Sequence, residues 1–193
     1  MALTNLGALY TRQGFYAEAE SLLQESLAVR ERVKGSDHPD VGETLTKMAE
    51  LCQRQGRHAE AEAVCRRAAQ VRERALGPNH PDLAVTLSVL GDACRDQGKH
   101  DEAEALFRRS LAILEKVLGP DHPEVAKPLQ GWGRLHVARG DHAGAEPLLK
   151  RALAIRRQVL GPGHPETAES LQDYAALLRK MGRQAEAAEE ESM

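Results

Sequence analysis

Eight histidines and three cysteines are the residues of this chain whose chemistry could extend beyond packing. Four histidines, His38, His80, His122 and His164, each precede a proline and follow one another at intervals of 42 residues. His58, His100 and His142 form a second series at the same interval. Imidazoles in series raise the question of a metal centre, where zinc holds its ligands about 2 Å from the ion. Counterparts on successive packed helices lie on the order of 10 Å apart, so neither series can converge on one ion. The chain contains no Cys-x-x-Cys and no His-Glu-x-x-His. No metal and no cofactor is expected.

Nucleophilic chemistry fares no better. Cys52 and Cys65 fall on facing apolar stripes as expected near neighbours, and buried inert thiols are their ordinary role. Cys94 shares a register position with His136, but no third group or oxyanion donor accompanies the pair. The basic doublets Arg66-Arg67, Arg108-Arg109 and Lys150-Arg151 recur in register and could form a stripe for nucleic acid. Glu62, Glu104 and Glu146 each stand four residues before a doublet, the favourable spacing for a helical ion pair. Aromatic residues make up only 3% of the chain, too few for base stacking, and the net charge is -3. Neither a nucleic-acid partner nor an enzyme is expected.

The elements that carry these residues repeat with them. The loops KGSDHPD, LGPNHPD, LGPDHPE and LGPGHPE begin at residues 34, 76, 118 and 160. They alternate with glycine turns at Gly14, Gly56, Gly98, Gly140 and Gly182, so each 42-residue period holds two segments. Both segments have helical apolar spacing: Leu45, Met48, Leu51 and Cys52 in one first segment, Ala61, Val64, Cys65 and Ala68 in the second. In each loop a glycine stops one helix, predicted in the left-handed conformation, and His-Pro-Asp/Glu starts the next. Small residues form columns for close packing, Ala19, Ala61, Ala103, Ala145 and Ala187 on the second helices and Gly7, Ala49, Gly91, Gly133 and Ala175 on the first. The sequence predicts an all-α fold in one domain, 1–193, with repeats near 1–36, 37–78, 79–120, 121–162 and 163–193. No apolar run approaches the roughly 20 residues that span a bilayer, so no membrane partner is expected. The sparse, odd set of cysteines fits a reducing, cytoplasmic setting.

With its columns in place, LTNLGALYTRQGFYAEAESLLQESLAV resembles a tetratricopeptide repeat. The longer unit with LGPxHP loops is similar to the kinesin light chain subtype and its bacterial relatives. The resemblance implies a right-handed α-solenoid whose first helices line a concave groove, with protein or peptide binding as the usual activity. It implies contact positions at Thr4, Asn5, Thr46, Lys47, Ser88, Gln130, Gln172 and Asp173. One turn further on are Glu50, Asp92 and Arg134, then Arg12, Arg54, Arg95 and Arg179. This mixed lining suits a peptide of both charge signs. The expected role is a non-catalytic scaffold. Self-association through an open N-terminal end is an alternative, as is service as the repeat part of a larger bacterial signalling protein.

Two departures from regularity carry expectations of their own. Residues 185–193, AEAAEEESM, place Glu191 in the column of Leu23, Cys65, Phe107 and Leu149, which predicts a frayed polar cap. The fourth repeat holds Pro128, Gly131, Gly133 and Pro147, each unfavourable inside a helix, and is expected to be the least protected.

Overall fold

The computed structural model describes residues 2–192. They form ten α-helices: α1 (Ala2–Gln13), α2 (Tyr16–Lys34), α3 (Pro39–Arg54), α4 (His58–Leu76), α5 (Pro81–Asp96), α6 (His100–Leu118), α7 (Ala126–Ala138), α8 (His142–Leu160), α9 (Pro165–Lys180) and α10 (Gln184–Ser192). A 3₁₀ turn, Pro123–Val125, precedes α7. No strand occurs among the described residues. The fold class is all-α, built of stacked antiparallel helix pairs. The helices cluster into two compact units, Met1–Leu106 and Phe107–Met193.

The histidines have a structural role as helix caps. In His38, His80, His122 and His164 the ring Nδ1 accepts a hydrogen bond from the backbone N–H two residues on, at 3.1–3.2 Å. Each proline then occupies the first helical position, where its missing N–H costs nothing. The stop signal differs from expectation. Gly35, Gly77 and Gly161 adopt φ of 84–89° with ψ of 157–167°, which is an extended mirror-image conformation rather than the left-handed helical one. Only glycine enters that region readily.

Small residues set the approach of the helices. The alanine column at 19, 61, 103, 145 and 187 is fully buried. A Cβ on Gly7 would come within 2.8 Å of Leu23, and one on Gly133 within 2.7 Å of Leu149. Within the first unit, Leu51 and Met48 of α3 pack on Ala19 and Leu23 of α2. Within the second, Tyr174 and Leu177 of α9 pack on Ala145, Leu149 and Leu153 of α8.

Polar links join successive pairs. Buried Arg72 of α4 donates to the Asp82 carbonyl and the Thr86 hydroxyl, both at 2.6 Å. Arg30 makes the same contacts to Asp40 and Thr44, and Arg156 to Glu166 and Ser170. The register counterparts Leu114 and Pro128 lack both partners of this link, and there the helix begins with the 3₁₀ turn. That turn also answers an expectation about Pro128. Because α7 starts at Ala126, Pro128 lies in its first turn and breaks no intrahelical bond; Pro147 does lie inside α8. The C-terminal segment is helical through Ser192, with Glu190 paired to Arg157 and Glu191 to Arg179, both at 2.5 Å. The polar cap expected there carries ion pairs to α8 and α9.

Candidate functional site

The odd-numbered helices touch their odd neighbours directly, α1 with α3 and α3 with α5 in one unit, α7 with α9 in the other. They form one layer of each unit, and their outward side chains make a mixed polar face. Helical rotation decides which side chains reach that face.

Four of the expected contact residues do not. Thr4 is buried, 2.7 Å from the Ser26 hydroxyl and 3.4 Å from that of Thr44. Thr46 is buried between its own Gly42 carbonyl and the Thr86 hydroxyl. Ser88 is buried with its hydroxyl unpartnered. Gln130 is buried too, accepting from Arg156 and donating to Asp173. Short polar side chains at these positions fit the helix crossings, so they are stacking elements and cannot line an open groove.

The remaining expected residues lie exposed or half-buried on the odd-numbered helices, and most are paired with one another. Lys47 holds Glu50 at 2.9 Å. Arg95 holds Asp92 at 2.6 Å and Asp96 at 2.8 Å. Arg134 binds Asp173 and Glu169, both at 2.7 Å. Burial works against the Arg134 charge, but these two carboxylates more than offset it and its pKa is raised. Arg179 is taken by Glu191. Among the described residues, Asn5, Arg12, Arg54 and Gln172 are exposed and make no hydrogen bond or ion pair. Lys180, which the sequence reading passed over, shares that condition. It stands beside a shallow pocket of about 170 Å³ lined by Arg134, Val137, Leu149, Asp173, Ala176 and Leu177. The mixed charge expected of the odd helices is thus largely neutralised internally, leaving Arg12 and Arg54 free in the first unit and Lys180 in the second.

Reactive groups elsewhere are engaged structurally. Burial pushes the thiols of Cys52 and Cys94 up to about 11, so both are protonated at neutral pH. Cys65 is buried as well and forms no disulfide. Glu62, Cys94 and Glu102 bring potential ligand atoms within 4.8 Å of one another. Glu62 accepts from Lys99 at 2.5 Å, Gln97 at 2.7 Å and Arg66 at 2.8 Å, and Arg66 also holds Glu102 at 2.6 Å. The Lys99 bond chiefly holds the Glu62 carboxyl down at about 2. With its cations supplied by the protein and its thiol protonated, this trio is a poor metal site. His136 is bonded to Asp141 at 2.7 Å, and Arg108 lies 5.1 Å over the Trp132 ring. The Arg66–Glu62 pair has the expected spacing, but Arg66–Glu102, Arg67–Glu31 and Arg151–Glu115 run between repeats.

The chain matches the family model described as Tetratricopeptide repeat over residues 1–63, 40–116, 90–158 and 129–190. No curated protein sequence matches it. Among solved structures it is similar to the nearly identical TPR-like repeats assigned to a kinesin light chain in Podosopora anserina. That match has 25% identity and a TM-score of 0.72, covering 99% of this chain and 90% of the other. It is also similar to BtubC (BKLC) from P. vanneervenii, with 22% identity, a TM-score of 0.75 and coverage of 97% and 75%. A Rap protein complexed with Competence and Sporulation Factor has 16% identity and a TM-score of 0.83, covering 97% of this chain and 50% of that one. The last two likenesses concern the fold alone.

Proposed function

Since the chain belongs to the tetratricopeptide repeat family, whose fold serves as a protein–protein interaction scaffold, we propose that it holds an extended segment of a partner protein on its odd-helix face without transforming it. One observation carries the reading. Arg12 and Arg54 stand exposed and unpaired on the odd helices of the first unit and Lys180 on those of the second, while the acidic side chains of each are engaged by neighbouring cations. A ligand bearing carboxylates would gain new ion pairs there, whereas a basic one would have to break existing pairs. The similar Rap fold, solved in complex with Competence and Sporulation Factor, supports a binding role. No helix among the described residues is long and apolar enough to cross a membrane. Three buried cysteines outside any disulfide suit a reducing compartment.

The test is a peptide-display selection against the whole chain, followed by affinity measurement on charge-reversed variants. Arg12→Glu and Arg54→Glu are each expected to weaken a selected acidic peptide about tenfold, in line with loss of a charged contact. Both side chains are exposed and unpaired, so the circular dichroism of the variants should match the parent. Selected peptides without acidic residues, or affinities indifferent to both reversals, would overturn the reading.

A further inference from the structure

The face of the first helix pair opposite its contact with α3 departs from every later pair. Leu6, Leu9 and Val29 are 39%, 45% and 38% exposed. Of their register counterparts, Leu51, Leu90, Ala93, Leu135, Tyr174, Leu177, Val71, Ile113 and Ile155 are buried, and Met48 and Trp132, which match Leu6, are half-buried. Where the packing is resolved within one unit, those counterparts lie against the second helix of the preceding pair. The first pair therefore presents, uncovered, an apolar surface of the kind that elsewhere supports stacking.

Its polar positions show that it is not shaped for another repeat of the ordinary kind. Arg57, Lys99 and Arg183 reach back to Glu20, Glu62 and Glu146 of the preceding pair; the counterpart in the first pair is Phe15, 53% exposed. Asp141, the one other exception, caps its own helix through the Gly144 N–H. Arg67 and Arg151 reach back to Glu31 and Glu115; their counterpart is Glu25, which would repel such a partner. The hydroxyls of Thr44, Thr86 and Ser170 receive the buried arginine of the preceding pair; their counterpart is Ala2. Nor does the C-terminal pair of a second copy fit. Glu191 would meet Leu9 where Leu23 and Leu149 meet Leu51 and Leu177 in the stacked pairs.

The face does complement itself. Glu25, Val29 and Arg32 follow one another at i, i+4 and i+7, so they share one stripe of α2. Neither Glu25 nor Arg32 has an ion pair or hydrogen bond among the described residues. Their counterparts in the second pair confirm that the stripe looks toward the preceding pair: Arg67 reaches Glu31, Val71 is buried, and Arg74 lies 3.8 Å from Asp37. The two charges lie about 10 Å apart along the helix, almost symmetrically about Val29. An antiparallel copy related by a two-fold axis near Val29 would set each Glu25 against the other copy's Arg32. A parallel copy would set like charges together.

We propose that two copies of this chain pair through the α1/α2 face, with their α2 helices antiparallel about Val29 and Glu25 of each copy bonded to Arg32 of the other. Leu6, Leu9 and Phe15 supply the apolar remainder. Such an isologous contact closes at two copies and leaves the odd-helix face open, so it is independent of ligand binding.

Sedimentation equilibrium of the full chain over a concentration series tests this. The mass is expected to rise from 21.1 kDa to twice that value and stop. Glu25→Arg and Arg32→Glu alone should each weaken the dimer at least about tenfold through like-charge contact. An equimolar mixture of the two single variants, and the double variant, should return to within about threefold of the parent, since opposite charges again face each other. Arginine already occupies the Glu25 register position in α4 and α8, and Arg32 is exposed, so the substitutions leave the helix intact. A chain that stays at single mass throughout overturns the proposal. So does growth beyond two copies, or a dimer whose strength ignores both reversals or is not rescued by the mixture.

Discussion

Glu62 offers a quantitative test of what holds successive helix pairs together. Its carboxylate is buried, on the second helix of one pair, and accepts from Lys99 and Gln97 of the next as well as from Arg66. A carboxyl held at about 2 instead of its ordinary 4.5 contributes about 3 kcal/mol at neutral pH before screening. Lys99 and Arg66 are 44% and 45% exposed, so solvent screening reduces this to about 1–2 kcal/mol. The folded pKa is depressed, so the contribution is complete above the ordinary value and is lost as pH falls toward the folded one. Glu62→Gln keeps the side chain's shape and removes its charge. In urea unfolding it should be less stable than the parent by about 1–2 kcal/mol near pH 7, and by less than half of that near pH 3. Equal stabilities near neutral pH, or a gap undiminished in acid, would refute the reasoning.

Other consequences follow from the same contacts. Thr86→Val removes a partner of buried Arg72 and should cost about 2 kcal/mol in urea unfolding, while Arg72→Leu, which removes the charge itself, should cost less; the reverse order would contradict the link described. His80→Ala should destabilise by about 1 kcal/mol and His80→Asn by much less, because asparagine can also accept at a helix N-cap. Gly133→Ala should cost more than 1 kcal/mol by forcing its Cβ against Leu149, a change readable as a lowered thermal midpoint. Residues 124–152, with Pro147 inside α8 and without the arginine link at Leu114, should exchange amide protons faster than residues 82–110.

The repeating framework was legible because its signals are local. Glycine, proline and the apolar stripe act within a few residues of themselves, and each loop of the repeating motif separates two helices. The histidine caps were missed because histidine is rarely read as an N-cap, although its place just before proline and an acidic residue was a usable cue. Thr4, Thr46 and Gln130 look like surface residues because they are polar, yet hydroxyl and amide groups satisfied across a helix crossing are readily buried; Ser88 is small enough to be buried even without a partner. Ion pairs such as Arg57–Glu20 and Arg183–Glu146 link residues 37 positions apart, a spacing that rules for a single helix do not anticipate. The candidate site changes as well: Arg134 and Arg179 reach other helices and Arg95 is held by Asp92 and Asp96 of its own, so the free cations reduce to Arg12 and Arg54 in the first unit and Lys180 in the second.

The odd-helix face can be examined directly by amide-exchange mapping of the chain with and without a selected acidic peptide. Binding on that face predicts slowed exchange along α1, α3, α5, α7 or α9, with α2, α4, α8 and α10 unchanged. Protection confined to those even helices would contradict it.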